Sequence, residues 1–122
     1  MKRGIITIKS GMVGIPTAPV WMTQEEIADL FNLYGRDVRK AINAIYKDGV
    51  LLEAETMRYI RLAEQRSIDA YSIEMIIAVA YRINSRESEI FRRYIMNRLY
   101  AKKDCQIVLF ANEFSKGGSI FN

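Results

Sequence analysis

The first twenty or so residues carry the hydrophobic pattern of a short β-hairpin. Gly4–Ile8 is rich in β-branched residues, Ser10 begins a turn signal, and Met12–Ile15 is apolar enough to form the return strand. Two prolines follow, and proline interrupts regular strand pairing. We therefore predict that residues 1–21 form an N-terminal hairpin and an extended lead-in.

The apolar spacing then changes to a helical period. Ile27 and Phe31 recur at the spacing of one helix face, and Thr23 with Glu26 forms the Thr-x-x-Glu signature of a capping box. Asn32 ends this helix, because asparagine tolerates the left-handed conformation that closes a helix. The pattern predicts a first helix between Thr23 and Asn32.

A second amphipathic helix is predicted from Gly35 or Arg36 to Lys47, where Asp48 and Gly49 stop it. Two such helices joined by a short turn are typical of a helix-turn-helix, which presents the N-terminal part of its second helix to the major groove of DNA. The inward positions of this second helix are Val38, Ile42, Ile45 and Tyr46.

The next segment alternates between apolar and polar residues, which predicts a second hairpin. Its strands are Met57–Leu62 and Ser67–Tyr71, with the turn near Gln65 and Arg66. A hairpin directly after a helix-turn-helix is typical of a winged helix. Residues 22–71 are therefore predicted to form a helix-turn-helix with its wing.

Two further helices and a tail complete the predicted fold. Ser72 begins a helix that is apolar almost all round to about Ile83, so we expect this helix to be buried. A long helix follows over Arg86–Lys103, and Gln106–Phe110 is predicted to form a strand in the tail. The inward residues expected on the long helix are Ile90, Phe91, Tyr94, Ile95, Leu99 and Met96.

The chain is thus predicted to be a single α+β domain, mainly α, over residues 1–122. Its fold class is a winged helix-turn-helix with an N-terminal β-hairpin and two further C-terminal helices. The C-terminal parts are a helical pair over residues 72–104 and a tail over residues 105–122.

Composition narrows the possible chemistry. The chain has no histidine and a single cysteine, which excludes histidine-dependent catalysis, histidine-containing zinc sites and a disulfide framework. Glu25, Glu26 and Asp29 share one helix turn, and the nearby helix N-terminus explains them better than acid–base catalysis does. We therefore expect no enzyme, no cofactor, no metal site and no small-molecule substrate. The apolar runs are too short for a signal peptide or a membrane span, so we expect a cytoplasmic protein without membrane partners.

Positive charge is concentrated on the second predicted helix. The net charge of the chain is +4, and Arg36–Lys47 alone carries four basic residues and one acid. Arginine can bond guanine bidentately, asparagine can do the same to adenine, and lysine suits phosphate. A capped amphipathic helix with a basic outer face also occurs in proteins that never touch DNA, and this interpretation stays open. The predicted DNA-binding residues are Tyr34, Gly35, Arg36, Arg39, Lys40, Asn43 and Lys47, with Arg58, Arg61 and Arg66 on the wing.

A second basic segment, Arg82–Lys103, carries seven basic residues and two acids. Glu89 precedes Arg92 and Arg93 at the spacing of ordinary ion pairs within a helix. We interpret this segment as a solvated helix face, and a second DNA surface is the alternative.

Two blocks of the sequence resemble the N-terminal domain of the RhuM family of virulence-associated and prophage-linked proteins. The first block is Trp21–Phe31 together with Val38, Ile42, Ile45 and the Lys47–Gly49 stop. The second block is Tyr71–Ser85, followed by Phe91 and Arg92, and it is the more specific because generic helix-turn-helix proteins lack it. The resemblance implies a bacterial, often mobile-element-associated protein that binds DNA.

The sequence also departs from that family. Tyr34–Asp37 replaces a segment that is usually rich in Ser, Arg and Thr, and Ala41 stands where histidine is common. A different DNA sequence preference is therefore implied. Members of the family are longer, so we expect either a short relative or an excised domain.

The leading hypothesis is a double-stranded DNA-binding protein of helix-turn-helix type, acting as a transcriptional regulator or as the targeting module of a mobile-element protein. The alternative is a protein–protein interaction module that uses the Tyr81–Ser85 region and the apolar tail. A homodimer is also expected through the apolar ends, although the two strands predicted there can equally pair within one chain. The residues expected at this contact are Ile5, Ile6, Ile8, Ile107, Val108, Leu109 and Phe110.

Overall fold

The computed structural model describes residues 2–61 and 66–117, with side chains described as far as Ala101. These residues form a mixed α+β structure with five helices and two small antiparallel sheets, in agreement with the predicted α+β class. The chain divides into two compact units, Met1–Arg92 and Arg93–Asn122. Among the described residues, no helix is both long and apolar enough to cross a membrane.

Strands come first along the chain, and helices dominate its second half. The strands are β1 (Thr7–Lys9), β2 (Met12–Gly14), β3 (Trp21–Thr23), β4 (Met57–Arg61) and β5 (Ser67–Ser72). The helices are α1 (Gln24–Phe31), α2 (Gly35–Lys47), α3 (Glu53–Thr56), α4 (Ile73–Ala80) and α5 (Arg86–Gly117).

The N-terminal hairpin forms as predicted, with shorter strands. β1 pairs antiparallel with β2, and Ile8 lies opposite Val13. Ser10 and Gly11 turn the chain with φ angles of 53° and 76°, and two consecutive left-handed residues suit the twist of a two-residue hairpin turn. Ile6 is buried, so it is not available for the self-association that the sequence suggested.

α1 begins and ends where the sequence predicts. The Glu26 backbone N–H donates to the Thr23 hydroxyl at 3.2 Å, and the Thr23 N–H donates to the Glu26 carboxylate at 2.9 Å, which completes the capping box. Arg3 donates to both oxygens of the same carboxylate, at 2.6 and 2.9 Å. Partial burial acts to raise the pKa of Glu26, but the bonds from Arg3 and Thr23 outweigh burial and lower this pKa. Asn32 closes the helix in the left-handed conformation, with φ of 55°.

The helices of the first unit share a packed core. α1 packs on α2, and α2 packs on α4. Phe31 contacts Phe91 edge to face, with ring centres 5.6 Å apart, and both side chains are at most 1% exposed. Tyr46 is only half-buried, and its hydroxyl lies 2.9 Å from the hydroxyl of Thr56. The other three predicted inward residues of α2 are buried, namely Val38, Ile42 and Ile45.

The three-stranded sheet has the order β3-β5-β4. The strand pairing of the predicted second hairpin is confirmed, since β4 pairs antiparallel with β5 from Met57 opposite Tyr71 to Arg61 opposite Ser67. The predicted strand end at Leu62 and the predicted turn at Gln65 lie outside the described residues. Trp21 is not the end of an extended lead-in but the first residue of β3, the other neighbour of β5. A three-residue strand is too short to show an alternating pattern, so only its partner reveals it.

α4 ends at Ala80, earlier than the predicted Ile83. It is buried on one side, through Met75, Ile76 and Val79, rather than all round. Ser72 occupies the predicted N-cap position, but its hydroxyl makes no capping bond. That hydroxyl is buried without a hydrogen-bond partner.

α5 begins with reciprocal hydrogen bonds between two serines. The Ser88 N–H donates to the Ser85 hydroxyl at 3.1 Å, and the Ser85 N–H donates to the Ser88 hydroxyl at 2.9 Å. The arrangement is that of a capping box with serine in place of the usual acid. This capping box was not predicted from the sequence, because the usual capping-box signature has Glu or Gln at the position of Ser88.

α5 also continues to Gly117, so the predicted strand Gln106–Phe110 is wrong. A short apolar run does not distinguish a strand from a helix, and a helix already formed extends with one hydrogen bond per added residue. The proposed pairing of a tail strand with β1 is therefore absent too. The final residues, 118–122, lie outside the described part of the chain.

The predicted inward face of α5 is confirmed only in part. Phe91 is buried, but Met96 and Leu99 are 43% and 48% exposed. Amphipathic spacing identifies a face of a helix, yet it does not say whether another element covers that face. The half-buried members of the predicted set are Ile90, Tyr94 and Ile95.

Candidate nucleic-acid interface

The basic side of α2 is exposed because the opposite side is fully used in packing. The packed side consists of four residues that are each at most 8% exposed: Val38, Ala41, Ile42 and Ile45. All five of the polar and basic residues that the sequence placed outward are exposed. We refer to these five as the outer face of α2: Arg36, Arg39, Lys40, Asn43 and Lys47.

The turn before α2 brings the start of α1 close to the start of α2. Tyr34 is the N-cap of α2, is 71% exposed, and has the Arg36 guanidinium 5.4 Å from its ring centre. Gly35 is half-buried, and a Cβ there would lie 3.3 Å from Gln24 Nε2 and 3.3 Å from Glu25 Oε1. Gly35 therefore leaves room for two side chains of α1, which a Cβ would force to shift by a few tenths of an ångström. A DNA contact at Tyr34 or Gly35 stays a prediction.

Arg39 lies at a cleft of about 190 Å³ that joins α1, α2 and β5. Its Nε donates to Gln24 Oε1 at 3.3 Å. Burial raises the pKa of Tyr71 in this cleft to about 12; Asp69 acts in the same direction and Arg39 in the opposite one. We call this cleft the Arg39 cleft. It is lined by Gln24, Glu25, Arg39, Ile68, Asp69 and Tyr71.

The three arginines predicted on the wing have different surroundings. The Arg58 guanidinium stacks on the Trp21 ring, 4.0 Å from the ring centre, which connects β4 to β3 across the central strand. Arg61 ends β4 and Arg66 immediately precedes β5, and both are exposed at the turn end of the hairpin. Arg58 therefore contributes a side-chain contact that supports the sheet.

Several basic residues of the second basic segment are engaged within the protein, Arg82 and Arg92 among them. Arg82 pairs with Asp48 at 2.6 Å. Arg92 donates to the backbone carbonyls of Ala80 and Ile83 and to the Ser88 hydroxyl. The Ala80 carbonyl is among those at the end of α4 that lack a partner within the helix, so Arg92 acts as a side-chain cap there and also binds the following loop at Ile83.

Sequence reasoning missed four residues close to the predicted interface. Gln24 carried no signal beyond its place inside the capping box, although its amide bonds Arg39. Asp69 and Tyr71 reach the Arg39 cleft only because β5 pairs with β3. The hydrophobic pattern of the sequence does not predict this pairing. Tyr59 is 72% exposed and lies opposite Asp69 in the sheet, so the two side chains share one face.

No family model, no curated protein and no solved structure matches this chain. Among the residues that the structure describes, no group of three or more acidic or thiol side chains is placed to hold a metal ion. The function therefore rests on the geometry of the exposed basic residues and their neighbours.

Proposed function

We propose that this chain is a double-stranded DNA-binding protein in which the outer face of α2 enters the major groove. The observation that carries the proposal is the exposure of all five residues of that face, opposite a side that is fully packed. Arginine and asparagine have the paired donors and acceptors that base edges match, and lysine suits phosphate. The face is available without any rearrangement of the core.

The order of the elements supports a winged helix-turn-helix as the finer description of this fold. α1 and α2 are joined by a three-residue connection, and the β4–β5 hairpin follows α2 after only a short helix. We propose that Arg61 and Arg66, at the turn end of this hairpin, contact phosphates. Arg58 then supports the hairpin through Trp21 rather than binding DNA as its main role.

The biological role that we propose is based on the resemblance to the RhuM family. Membership of the RhuM family is supported by two sequence blocks, which coincide with α1–α2 and with α4 and its flanks. On this basis the protein is a bacterial, cytoplasmic DNA-binding protein that regulates transcription or targets a mobile-element protein to DNA.

A selection from randomised duplex DNA, followed by mobility-shift measurements, tests the proposal. We expect enrichment of a sequence motif and an affinity that falls steeply with salt, because basic residues release counterions when they contact phosphates. Failure to retain any duplex DNA at low salt contradicts the proposal.

Protein–protein interaction is a second candidate function, favoured by exposed apolar residues on α5. Met96, Leu99 and Tyr100 are each between 43% and 51% exposed. Exposed apolar side chains close together are frequent at protein interfaces. Light scattering over a range of concentrations tests self-association, with Leu99→Glu as the disrupting variant. A concentration-independent monomer excludes the homodimer.

A further inference from the structure

Gln24 is the first residue of α1, yet its side-chain amide lies on α2. The amide oxygen accepts a hydrogen bond from Arg39 Nε at 3.3 Å. The amide nitrogen lies 3.3 Å from the place that a Cβ of Gly35 would occupy. Gly35 and Arg39 are four residues apart and so lie on the same side of α2. The Gln24 amide therefore spans one turn of α2, with its oxygen at Arg39 and its nitrogen at Gly35.

We propose that Gln24 is a positioning residue that presents Arg39 to a guanine base. The bond at Nε holds the plane of the guanidinium and leaves Nη1 and Nη2 for further bonds. A guanine offers O6 and N7 side by side, which matches two parallel donors. Immobilising a long side chain on binding costs conformational entropy. The Arg39 side chain loses less of this entropy if the Gln24 amide already restrains its guanidinium before DNA binds. This inference rests on the proposed DNA-binding function.

The surroundings of Arg39 favour a base over a phosphate. Glu25 and Asp69 line the same cleft as Arg39. Like charges repel, so two carboxylates disfavour the approach of a phosphate but not that of a neutral base edge. Lys40 and Lys47, in contrast, are exposed on α2 and do not line this cleft. Arg39 is thereby distinguished from the other basic residues of α2.

The test compares base preferences selected from randomised duplex DNA by the parent chain and three variants. Arg39→Ala should erase the preference for guanine at one position of the motif. Gln24→Met keeps the length of the side chain but removes the acceptor, and it should reduce the same preference about tenfold. Gln24→Glu keeps an acceptor and should retain the preference. Affinity for unrelated duplex DNA and the thermal midpoint should stay close to those of the parent in Gln24→Met, whereas the added negative charge of Gln24→Glu should lower the affinity for all duplexes alike.

The double variant separates positioning from direct contact. In the Arg39→Ala background, Gln24→Met should change nothing further at that position, because residues acting through one contact are not additive. Gly35→Ala provides a second route, since a methyl group 3.3 Å from the amide nitrogen requires the Gln24 side chain to shift by a few tenths of an ångström. It should weaken the same guanine preference even if Gln24→Met fails to fold.

The outcomes separate this inference from the proposed function. Absence of duplex binding by the parent overturns both. A parent motif that loses a guanine in Arg39→Ala but keeps it in Gln24→Met and Gly35→Ala overturns the positioning role alone. A change at a different motif position in Gln24→Met shows that Gln24 contacts DNA directly, which also overturns it.

Discussion

α2 and the second basic segment, Arg82–Lys103, both carry an excess of positive charge but use it differently. On α2 the packing of one side leaves the basic residues together on the other. In the second segment, Arg82 pairs with Asp48 and Arg92 caps the end of α4. The number of charges therefore does not identify an interaction surface. What matters is whether packing leaves the charges exposed on one side of an element.

The two regions also differ in how their helices are fixed. Four residues of α2 are buried along its length. On α5, in contrast, every side chain from Arg92 to Ala101 is at least partly exposed. Beyond Phe91, this part of α5 has no fully buried side chain that would fix an opposite side for its charges. We therefore expect α2, rather than α5, to carry the affinity for DNA.

The largest expected effect comes from removing two charges in each region. Arg36→Ala combined with Arg39→Ala should weaken binding to the selected duplex by about 2–6 kcal/mol, at about 1–3 kcal/mol for each lost base contact. The matched variant, Arg86→Ala combined with Arg98→Ala, removes the same charge from exposed positions of α5. Fluorescence anisotropy at one fixed salt concentration measures both dissociation constants. Equal losses would remove the distinction between the two regions.

The second prediction concerns the point where α5 is anchored to the core. Phe91→Ala should lower the free energy of unfolding by about 3–5 kcal/mol, because it leaves a cavity against Phe31. Leu99→Ala, at an exposed position of the same helix, should change it by no more than about 0.5 kcal/mol. Denaturant unfolding measures both values. A large loss in Leu99→Ala would mean that this side of α5 is covered in solution.

The third prediction compares the starts of α1 and α5, which have similar capping geometry but different charge. Thr23→Ala and Ser85→Ala should each cost about 0.5–2 kcal/mol of stability, the usual effect of losing an N-cap hydroxyl. Thermal or denaturant unfolding at neutral pH measures these losses. A neutral effect at either position would show that the capping bond there contributes nothing net.

The capping pair of α1 contains a carboxylate, so its contribution to stability should depend on pH, unlike that of the two serines of α5. The pKa of Glu26 is lowered in the folded protein, so its charge stabilises the fold fully above the ordinary value near 4.5. This contribution is lost as pH falls through the lowered pKa. The stability difference between the parent and Glu26→Gln should therefore shrink on acidification, whereas that between the parent and Ser88→Ala should stay constant. A constant difference for Glu26→Gln would contradict the role of the Arg3 pair.

The smallest effects are expected at the hairpin. Arg66→Ala should weaken binding to all duplex sequences alike and reduce the salt slope by about one unit, because it removes one phosphate contact. Arg58→Ala should instead lower stability by about 0.5–1 kcal/mol through the loss of its stacking on Trp21. Salt titrations of the dissociation constant and unfolding curves separate the two. A changed salt slope in Arg58→Ala would show that Arg58 contacts DNA phosphates.

Much of the first unit could be predicted from sequence because its signals are local. The capping box of Thr23 and Glu26, the left-handed Asn32 and the inward face of α2 all depend on residues within a few positions of one another. Both hairpins were predicted for the same reason, with strand ends that differ by a few residues. Exposure of the outer face of α2 followed from the same helical period.

The candidate site was predicted only in part. The exposed residues of α2 were identified, but the amide of Gln24 on Arg39 was not. Helical and alternating patterns of hydrophobic residues do not predict a hydrogen bond between residues fifteen positions apart. The same holds for Asp69 and Tyr71, which the pairing of β5 with β3 brings to the cleft.

The sequence by itself determined where α1 and α2 begin and end and which side of α2 is apolar, because backbone capping and helical periodicity act over one or two turns. Only the tertiary structure decided that Trp21 starts a strand, that Phe91 is buried while Leu99 is exposed, and that Gln24 meets Arg39. Burial and strand pairing depend on partners far along the chain. Their positions follow from how the elements pack together, which local patterns do not encode.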